Sequence, residues 1–327
     1  MSRNIALIGC GAISQFLYIP ALANARREFG KIWIVDPRAR APASAALGTA
    51  EIVSSLEQVT DDVALAIIAA PNGLHFPLAR EALKRGAHIL IEKPFVVSPS
   101  EGADLLEIAA KQDRLVLVNQ TRRFFPIASE IRQRIKKGDF GAFKSASHFE
   151  GIKLAWPFET GAAFAKDAYR TGVIMDLGVH VLDFYHFLIA PKWDLVSAVH
   201  DGFNGPEGLA EICLTANSAP VNIRLSRYYL QQNLARLSFE EAEIWADVYS
   251  LDVYWVKMRG KSPQALEAKP SGLDYNKLAA NILQNFVDAV DQKEPPICDG
   301  ASSLPVIALL DKIYRSASLY PTEVGIA

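Results

Sequence analysis

The first 120 residues contain five short apolar runs, the first four of them closed by residues that favour a turn. The intervening stretches at 78–85 and 101–112 have the composition of helices. Short apolar runs that alternate with helices are typical of parallel strands, because helices then cover both faces of the sheet. The runs lie at 5–8, 32–35, 64–70, 88–91 and 115–118.

The pattern changes after residue 120. A helix is predicted at 126–137, closed by Gly138, and a strand follows at 143–151. Consecutive strands with short polar breaks then indicate an antiparallel sheet; they lie at 195–199, 210–215, 221–229, 235–246 and 253–256. Two helices, at 277–291 and 302–318, complete the chain. The length of 327 residues suits about two domains, and we expect an α/β domain at 1–120 and an α+β domain at 121–327.

Composition excludes several classes of protein. Lys and Arg number 34 against 36 Asp and Glu, so the chain lacks the basic excess that a nucleic-acid binder needs to neutralise phosphates. The three cysteines are far apart and form no CxxC pair, which argues against a disulfide framework or a structural zinc site. No run of 18 uncharged apolar residues predicts a membrane span. We therefore expect a soluble, cytosolic protein.

The first strand is followed by a glycine-rich loop that opens a helix. Its sequence begins Gly9-Cys10-Gly11 and continues through Ala12 and Ile13 into the helix. In a dinucleotide-binding fold the first glycine permits a tight turn, and the second lets the backbone approach the pyrophosphate. The helix N-terminus then offers free N–H groups to the phosphates. The third glycine of the pattern is replaced by Ser14, a small residue that this packing position tolerates.

Asp36 ends the second predicted strand, the position at which an acidic side chain binds the ribose hydroxyls of NAD. A 2′-phosphate there would meet a like charge, so NAD is favoured as the cofactor. Arg38 and Arg40 follow closely and would instead suit the phosphate of NADP, which stays open. Alternatively, Asp36 only caps the turn before Pro37.

Glu92-Lys93-Pro94 follows a predicted central strand. Open α/β sheets bind their ligands at the carboxyl ends of the strands, so Lys93 is expected to point into the cofactor crevice. The alternative is an ordinary surface lysine.

A second polar cluster lies on a helix that is otherwise apolar. At 100° per residue, Asp176, His180 and Asp183 fall within an arc of about 60°. A helix that is apolar all round is buried, and its polar groups are then paired or functional. The alternatives are an Asp–His pair satisfied in the core and a metal site. No further His or Cys cluster supports a metal, so we expect none.

In this order, the motifs resemble those of the Gfo/Idh/MocA oxidoreductases, named for glucose-fructose oxidoreductase, inositol dehydrogenase and a rhizopine-catabolism protein. The matching segments are Gly9-x-Gly11, Ala70-Pro71-Asn72-x-x-His75, the run from Ala82 to Pro94, Arg123-Phe124-x-Pro126, Lys137-Gly138-x-x-Gly141 and Asp176-x-Gly178-x-His180-x-x-Asp183. The resemblance covers nearly the whole chain. It implies a Rossmann dinucleotide-binding domain followed by an α+β domain with a large, mostly antiparallel sheet.

The resemblance also implies roles for individual residues. Lys93, Asp176 and His180 would be catalytic. Pro71, Asn72, His75 and Glu92 would join Gly9, Gly11, Ala12, Ile13, Asp36 and Arg38 on the cofactor side, with Asn72 and His75 beside the nicotinamide. Candidates for the substrate pocket are Arg123, Trp156, Tyr169 and Arg170, each of which is also compatible with an ordinary surface or packing role.

The implied reaction is hydride transfer between nicotinamide and a secondary alcohol or ketone of a sugar, cyclitol or sugar derivative. His180 suits the general base and Lys93 the stabiliser of the substrate oxygen, although these roles are exchangeable. Asp176 would orient a substrate hydroxyl or the imidazole. Two alternatives stay open: a reductase of a non-sugar such as a tetrapyrrole or dihydrodiol, and a non-catalytic NAD-binding regulator. The family's sheet face implies a homodimer or homotetramer.

Overall fold

The computed structural model describes residues 3–25, 29–38, 47–48, 50–153, 171–203, 205–270 and 272–321. These residues form two compact units. The first unit contains the described residues up to 125 together with 273–308, and the second contains those at 126–153, 171–272 and 309–321.

The first unit is built on a six-stranded parallel sheet. Its strand order is β3-β2-β1-β4-β5-β6, so the direction of winding reverses between β1 and β4. Central strands of such a sheet are covered on both faces and are therefore apolar throughout; all four residues of β4 are buried. The strands are β1 (Arg3–Ile8), β2 (Phe29–Val35), β3 (Glu51–Val53), β4 (Leu65–Ile68), β5 (His88–Glu92) and β6 (Val116–Asn119).

Helices accompany this sheet. The segment after β1 begins as a π-helical turn, Ser14–Tyr18, and continues as α1 (Ile19–Asn24). Helix α3 (Pro99–Lys111) begins after Ser98, whose hydroxyl caps it by accepting the Glu101 amide at 3.4 Å. The other helices with residues in this unit are α2 (His75–Lys84), α3 (Pro99–Lys111), α6 (Tyr275–Val290) and α7 (Gly300–Ser316), of which α7 belongs to it as far as residue 308.

The second unit is built on a nine-stranded sheet with the order β14-β13-β12-β11-β7-β10-β9-β8-β15. Its pairs are antiparallel except β10 with β7 and β15 with β8. Along most strands buried and exposed residues alternate, as expected when one face of a sheet is covered. The strands are β7 (Phe143–Gly151), β8 (Trp193–His200), β9 (Leu209–Ala216), β10 (Ala219–Ser226), β11 (Leu234–Phe239), β12 (Ala242–Asp247), β13 (Val253–Met258), β14 (Gln264–Glu267) and β15 (Ser318–Leu319).

Two helical segments precede and follow β7. Helix α4 (Pro126–Lys137) ends before Gly138, whose φ of +80° suits a helix end. The second segment starts as a π-helical turn, Ile174–Gly178, and continues as α5 (Val179–Ile189). Within the described part of the chain, no helix is long and apolar enough to cross a membrane.

The structure confirms the expected fold class, a Rossmann-type parallel sheet together with a larger, mostly antiparallel sheet. The single strand expected at 235–246 is wrong, because the chain reverses between β11 and β12 at Glu240 and Glu241. These residues carry none of the turn signals of Gly, Pro or Asn. Strands β3 and β14 were missed because they are short edge strands with few buried residues.

Gly9 has a φ of +94°, and a Cβ atom there would clash with the Ala69 carbonyl oxygen. We expect Gly9→Ala to lower the free energy of unfolding by at least about 2 kcal/mol, because the strain of alanine at a positive φ adds to the clash with the Ala69 backbone. Urea denaturation followed by circular dichroism measures the loss.

Gly86→Ala is the matched control for Gly9→Ala. Gly86 has a φ of +83°, but the nearest atom to its Cβ would lie 3.9 Å away, so only the conformational cost of about 1 kcal/mol applies. Equal losses in the two variants would show that the contact with Ala69 does not constrain this turn.

Candidate functional site

The carboxyl edge of the parallel sheet gathers the loops that the sequence singled out. The loop at Gly9 follows β1, Pro71 comes shortly after β4, and Lys93 follows β5 directly. Backbone bonds hold this edge together, with the Gly9 amide donating to the Val35 carbonyl at 2.9 Å and the Ala69 amide to the Ile8 carbonyl at 2.8 Å. The strand order reverses here, which is where open α/β sheets bind their ligands.

The glycine-rich loop has the shape required of a phosphate loop. A Cβ atom at Gly11 would meet nothing within 4 Å, so open space lies beside this backbone. Residues 12 and 13 are already helical, and the first amides of a helix have no partners within it. Ser14 is fully buried and its hydroxyl donates to the Gly9 carbonyl at 2.7 Å. The serine at the third position thus ties the helix to the turn.

Asp36 is anchored by two backbone amides. Its Oδ2 accepts the Cys10 amide at 2.7 Å, and its Oδ1 accepts the Arg38 amide at 2.7 Å. The carboxylate is therefore held directly beside the glycine-rich loop, and it also caps the turn that the alternative interpretation described. The Arg38 side chain is exposed, whereas Arg40 lies outside the described residues.

Lys93 is half-buried and is joined to Pro94 by a cis peptide bond. Its amide donates to Glu92 Oε2 at 3.2 Å. The other oxygen of the Glu92 carboxylate accepts the Tyr18 hydroxyl at 2.6 Å and the Asn119 amide at 2.6 Å. Glu92, placed on the cofactor side by the sequence, is thus buried among protein partners directly before Lys93.

His75 is fully buried and connects two loops of this edge. Its Nδ1 lies 2.7 Å from the Pro94 carbonyl oxygen, and its Nε2 lies 2.9 Å from that of Ala70. Burial lowers the pKa of His75, against the effect of the carbonyl oxygens. The structure therefore gives His75 a supporting position below the loops, while the neighbouring Pro71 is exposed and Asn72 half-buried.

In the second unit, Asp176 lies in the π-helical turn that precedes α5. Its Oδ2 is 2.6 Å from the guanidinium of Arg227, whose side chain is 11% exposed. His180 is half-buried in the first turn of α5. The regular helix assumed for these residues is wrong at its start, since a π turn contains more residues than an α turn and changes their angular spacing.

The start of this helical segment is held by a buried carboxylate. Glu207 is 6% exposed, and its Oε1 accepts the Ile174 amide at 3.0 Å and the Tyr314 hydroxyl at 2.7 Å. A negative group at a helix N-terminus is favourable because it satisfies free N–H groups. A Cβ at Gly172 would clash with the same carboxylate, so the absence of a side chain there is a packing requirement.

Asp183 differs from the other polar residues of the helix. It is 1% exposed, whereas Asp176 and His180 are only half-buried. Burial thus separates Asp183 from the pair that the sequence placed in the same arc. In the described part of the chain, His, Cys, Asp and Glu side chains form no group of three or more that could hold a metal ion.

Of the substrate candidates, only Arg123 lies among the described residues. It is 4% exposed, and its guanidinium donates to the Ser302 hydroxyl at 3.0 Å and to the Ser302 carbonyl at 3.3 Å. These contacts favour the packing role that the sequence left open. Trp156, Tyr169 and Arg170 lie outside the described residues.

Sequence reasoning missed the partners of the predicted side chains. Tyr18 and Asn119 contact Glu92, and Arg227 contacts Asp176. Asn119 ends strand β6 as Glu92 ends β5, and the two residues are paired in register, so the position of Asn119 at a strand end was an available signal. Tyr18 and Arg227 carried no such signal.

The chain is similar to known NAD(P)-dependent oxidoreductases. Residues 3–120 match the model of an oxidoreductase family with an NAD-binding Rossmann fold, Gfo/Idh/MocA. The UDP-N-acetylglucosamine 3-dehydrogenase of Acidithiobacillus ferrooxidans is 26% identical over 267 residues, which are 78% of this chain and 79% of that protein. This chain spans only about half the length of two other curated relatives: 53% of one that is 28% identical and 49% of one that is 27% identical.

Two solved structures share the fold over nearly the whole chain. A 3-ketoreductase from Actinomadura kijaniata, in complex with NADP and TDP-benzene, has a TM-score of 0.82 at 18% identity, with 98% of this chain and 100% of that one covered. A levoglucosan dehydrogenase in complex with NADH and levoglucosan has a TM-score of 0.82 at 19% identity, with 97% of each chain covered. Together with the motifs at Gly9 and Lys93, these findings assign residues 3–120 to the Gfo/Idh/MocA oxidoreductase family, and the chain shares its fold with the two solved structures.

Proposed function

We propose that this protein is an NAD(P)-dependent oxidoreductase that interconverts a secondary alcohol and a ketone of a sugar, cyclitol or sugar derivative. One observation carries the proposal: the open backbone at Gly11 and the Lys93 side chain both belong to the carboxyl edge of one parallel sheet. That edge is where such sheets bind dinucleotides. We also propose that residues 1–120 bind the cofactor and that residues 121–327 bind the substrate.

The residues at this edge fit a dinucleotide. The space beside Gly11 admits a pyrophosphate, and the amides of Ala12 and Ile13 would bind its oxygens. The anchored Asp36 carboxylate would bind the ribose hydroxyls and disfavours a 2′-phosphate. NAD is therefore the proposed cofactor, and Arg38 provides the alternative for NADP. Pro71, Asn72 and His75 would support the nicotinamide side of the site.

When bound, the nicotinamide accepts or supplies the hydride. The protein moves the proton and stabilises the substrate oxygen. In the oxidative direction His180 would take the hydroxyl proton, because imidazole changes its charge near neutral pH. The Lys93 ammonium would donate a hydrogen bond to the same oxygen as negative charge develops on it. In the reductive direction the same groups return the proton.

Asp176 acts with Arg227 in this proposal. A carboxylate that is paired with a largely buried guanidinium at 2.6 Å is held in one position. It would accept a hydrogen bond from a substrate hydroxyl and orient the ring, whereas the role of proton acceptor falls to His180. Trp156, Tyr169 and Arg170 remain proposed substrate contacts.

The proposed substrate class rests on the relatives. One of them is named for the 3-position of a nucleotide sugar, and a solved neighbour holds levoglucosan. Sugars and cyclitols share the secondary hydroxyl that this set of groups handles. The proton-transfer groups Lys93 and His180 also favour an enzyme over a regulator that only senses NAD.

We propose further that the protein is a cytosolic homodimer or homotetramer. The open face of the nine-stranded sheet carries Trp255, 49% exposed, directly opposite Trp245 on the neighbouring strand. Exposed aromatic side chains that share one sheet face mark protein interfaces. The three cysteines are free thiols, which suits a reducing compartment.

Fluorescence titration with NADH and NADPH tests the cofactor. We expect NADH to bind about tenfold more tightly, because a 2′-phosphate would meet the Asp36 carboxylate. Asp36→Asn should remove most of this preference, since it removes the charge with little change of volume.

Arg38→Ala is the control for the cofactor titration. The side chain of Arg38 is exposed, and only its amide contacts Asp36, so NADH binding should be unchanged. A loss of NADPH affinity in Arg38→Ala, together with tighter binding of NADPH by the unaltered protein, would instead identify NADP as the cofactor.

Single-residue variants test the proton-transfer groups. With a substrate found in a panel of polyols, keto-sugars and nucleotide sugars, His180→Ala should lower kcat by about 10²–10⁴-fold. Lys93→Met should lower kcat similarly while NADH still binds. If both groups act in one step, the double variant loses little more than the worse single variant. Unchanged kcat in either single variant would refute its assigned role.

Light scattering coupled to size-exclusion chromatography tests the assembly. Trp255→Glu should shift the protein towards monomer, because it places a charge beside Trp245 at the proposed interface. Tyr275→Glu is the matched control, an exposed aromatic side chain of the first unit that is 40% exposed. A monomeric unaltered protein would contradict the proposed assembly.

A further inference from the structure

A buried polar cluster is centred on Glu92, the residue that directly precedes Lys93. Tyr18 is 1% exposed, Glu92 6% and Asn119 1%. The Tyr18 hydroxyl and the Asn119 amide both donate to Glu92 Oε1 at 2.6 Å, and the Asn119 amide also lies 3.0 Å from the Tyr18 hydroxyl. The Thr121 hydroxyl donates to Asn119 Oδ1 at 3.2 Å, which orients the amide so that its nitrogen faces the carboxylate.

Three elements of the first unit build this cluster. Tyr18 ends the π-helical turn that follows the glycine-rich loop, Glu92 ends β5, and Asn119 ends β6. Glu92 and Asn119 stand opposite each other in the parallel ladder. The remaining carboxylate oxygen, Oε2, accepts the Lys93 amide at 3.2 Å. Glu92 is thus joined to the glycine-rich helix, to the next strand and to the residue that carries the proposed catalytic ammonium.

The charge of this cluster depends on its donors. Burial raises the pKa of Glu92 above its ordinary value, and the hydrogen bonds from Tyr18 and Asn119 and the ammonium of Lys93 offset only part of this rise. Burial and the neighbouring Glu92 raise the pKa of Tyr18 well above its ordinary value, so its hydroxyl stays a donor. The Lys93 charge also helps to lower the pKa of His75, which burial lowers most. The two donors therefore favour the carboxylate form of Glu92.

A buried carboxylate is costly unless its charge is used or matched. An apolar residue at position 92 would avoid this cost. The carboxylate is, however, the nearest acidic group to Lys93 along the chain. We propose that Tyr18 and Asn119 are positioning residues that act through Glu92, holding its carboxylate as the fixed counter-charge and backbone anchor of Lys93.

The inference rests on the proposed function, in which the Lys93 ammonium stabilises the substrate oxygen. Removing one donor should weaken the carboxylate form of Glu92 and leave Lys93 with less counter-charge and a looser anchor. Both effects act on the reacting oxygen, and neither reaches the pyrophosphate or ribose contacts. The expected signature is therefore a loss of kcat with unchanged affinity for NADH.

Tyr18→Phe removes the hydroxyl with little change of volume. We expect kcat to fall about tenfold, which corresponds to the loss of roughly one charge-assisted hydrogen bond. The Kd for NADH and the KM for substrate should stay within about twofold. Asn119→Leu removes the second donor and should give a loss of similar size. If either variant fails to fold, by circular dichroism and thermal melting, the other one decides.

A second readout uses the protein without cofactor or substrate. The rate at which acetic anhydride labels Lys93 at pH 8, measured by mass spectrometry of the peptide, reports how much of the amine is neutral and accessible. It should rise about threefold in Tyr18→Phe and about tenfold in Glu92→Gln, because both changes loosen the carboxylate that anchors Lys93 and make its amine more accessible. The labelling of Lys111, which is exposed, is the internal reference.

A double-mutant cycle shows whether Tyr18 acts through Glu92. In Glu92→Gln protein, the further change Tyr18→Phe should have little effect on kcat or on labelling, since the charge it supports is gone. Tyr254→Phe is the matched control, because the Tyr254 hydroxyl also donates to a glutamate, Glu130, at 2.6 Å in the second unit. It should leave kcat and Lys93 labelling unchanged.

The outcomes separate this inference from the proposed function. If Lys93→Met keeps its turnover, the role of Lys93 fails, and labelling of Lys93 in the cofactor-free protein still tests the coupling to Glu92. If Lys93→Met is inactive but Tyr18→Phe and Asn119→Leu keep both kcat and labelling, the positioning role is wrong. An equal effect of Tyr18→Phe with and without Glu92→Gln also overturns it.

Discussion

The close approach of the Gly9 backbone to the Ala69 carbonyl is the constraint from which the first unit is organised. It draws the ends of β1 and β4 together where the strand order reverses. A side chain at this point has no room, so the chain turns tightly and the following helix begins beside open space at Gly11. Ser14 and Asp36 then fix the two sides of the loop through bonds to backbone groups. The loop is thereby shaped before any ligand binds, which lowers the cost of ordering it.

The same edge of the sheet buries several polar groups that join its loops and strands. His75 joins the loops after β4 and β5 through two carbonyl oxygens, and Glu92 joins β5 to β6 and to the glycine-rich helix. Buried polar groups stabilise a structure only when all their partners are in place. The edge is therefore held in one arrangement, and Lys93 projects from a backbone that is bonded on both sides. The proposed role of Lys93 would benefit from such support, because catalysis depends on position.

In the second unit, carboxylates take two different roles. Glu207 satisfies amides at the start of the helical segment and is largely buried, whereas Asp176, two residues further into it than Ile174, is half-buried and paired with Arg227. The π turn that contains Asp176 changes the direction in which the following residues point. π turns occur often at functional sites; of the two described here, one begins at Ser14, directly after the predicted cofactor residues Ala12 and Ile13, and the other contains Asp176.

Much of this protein was determined by its sequence alone. Apolar runs closed by turn residues predict parallel strands, since the period and length of a run are local properties, and the glycines at 9 and 11 with Asp36 and Lys93 mark the ends of those strands. The sequence also carries the family motifs. What only the tertiary structure decided is which groups satisfy these side chains. Tyr18 and Arg227 lie far along the chain from Glu92 and Asp176 and have no periodic signal, because a hydrogen bond between distant residues leaves no trace in the local pattern. The two π turns, the reversal at Glu240 and the burial of Arg123 and Asp183 follow likewise from packing, which depends on the neighbours that folding brings together.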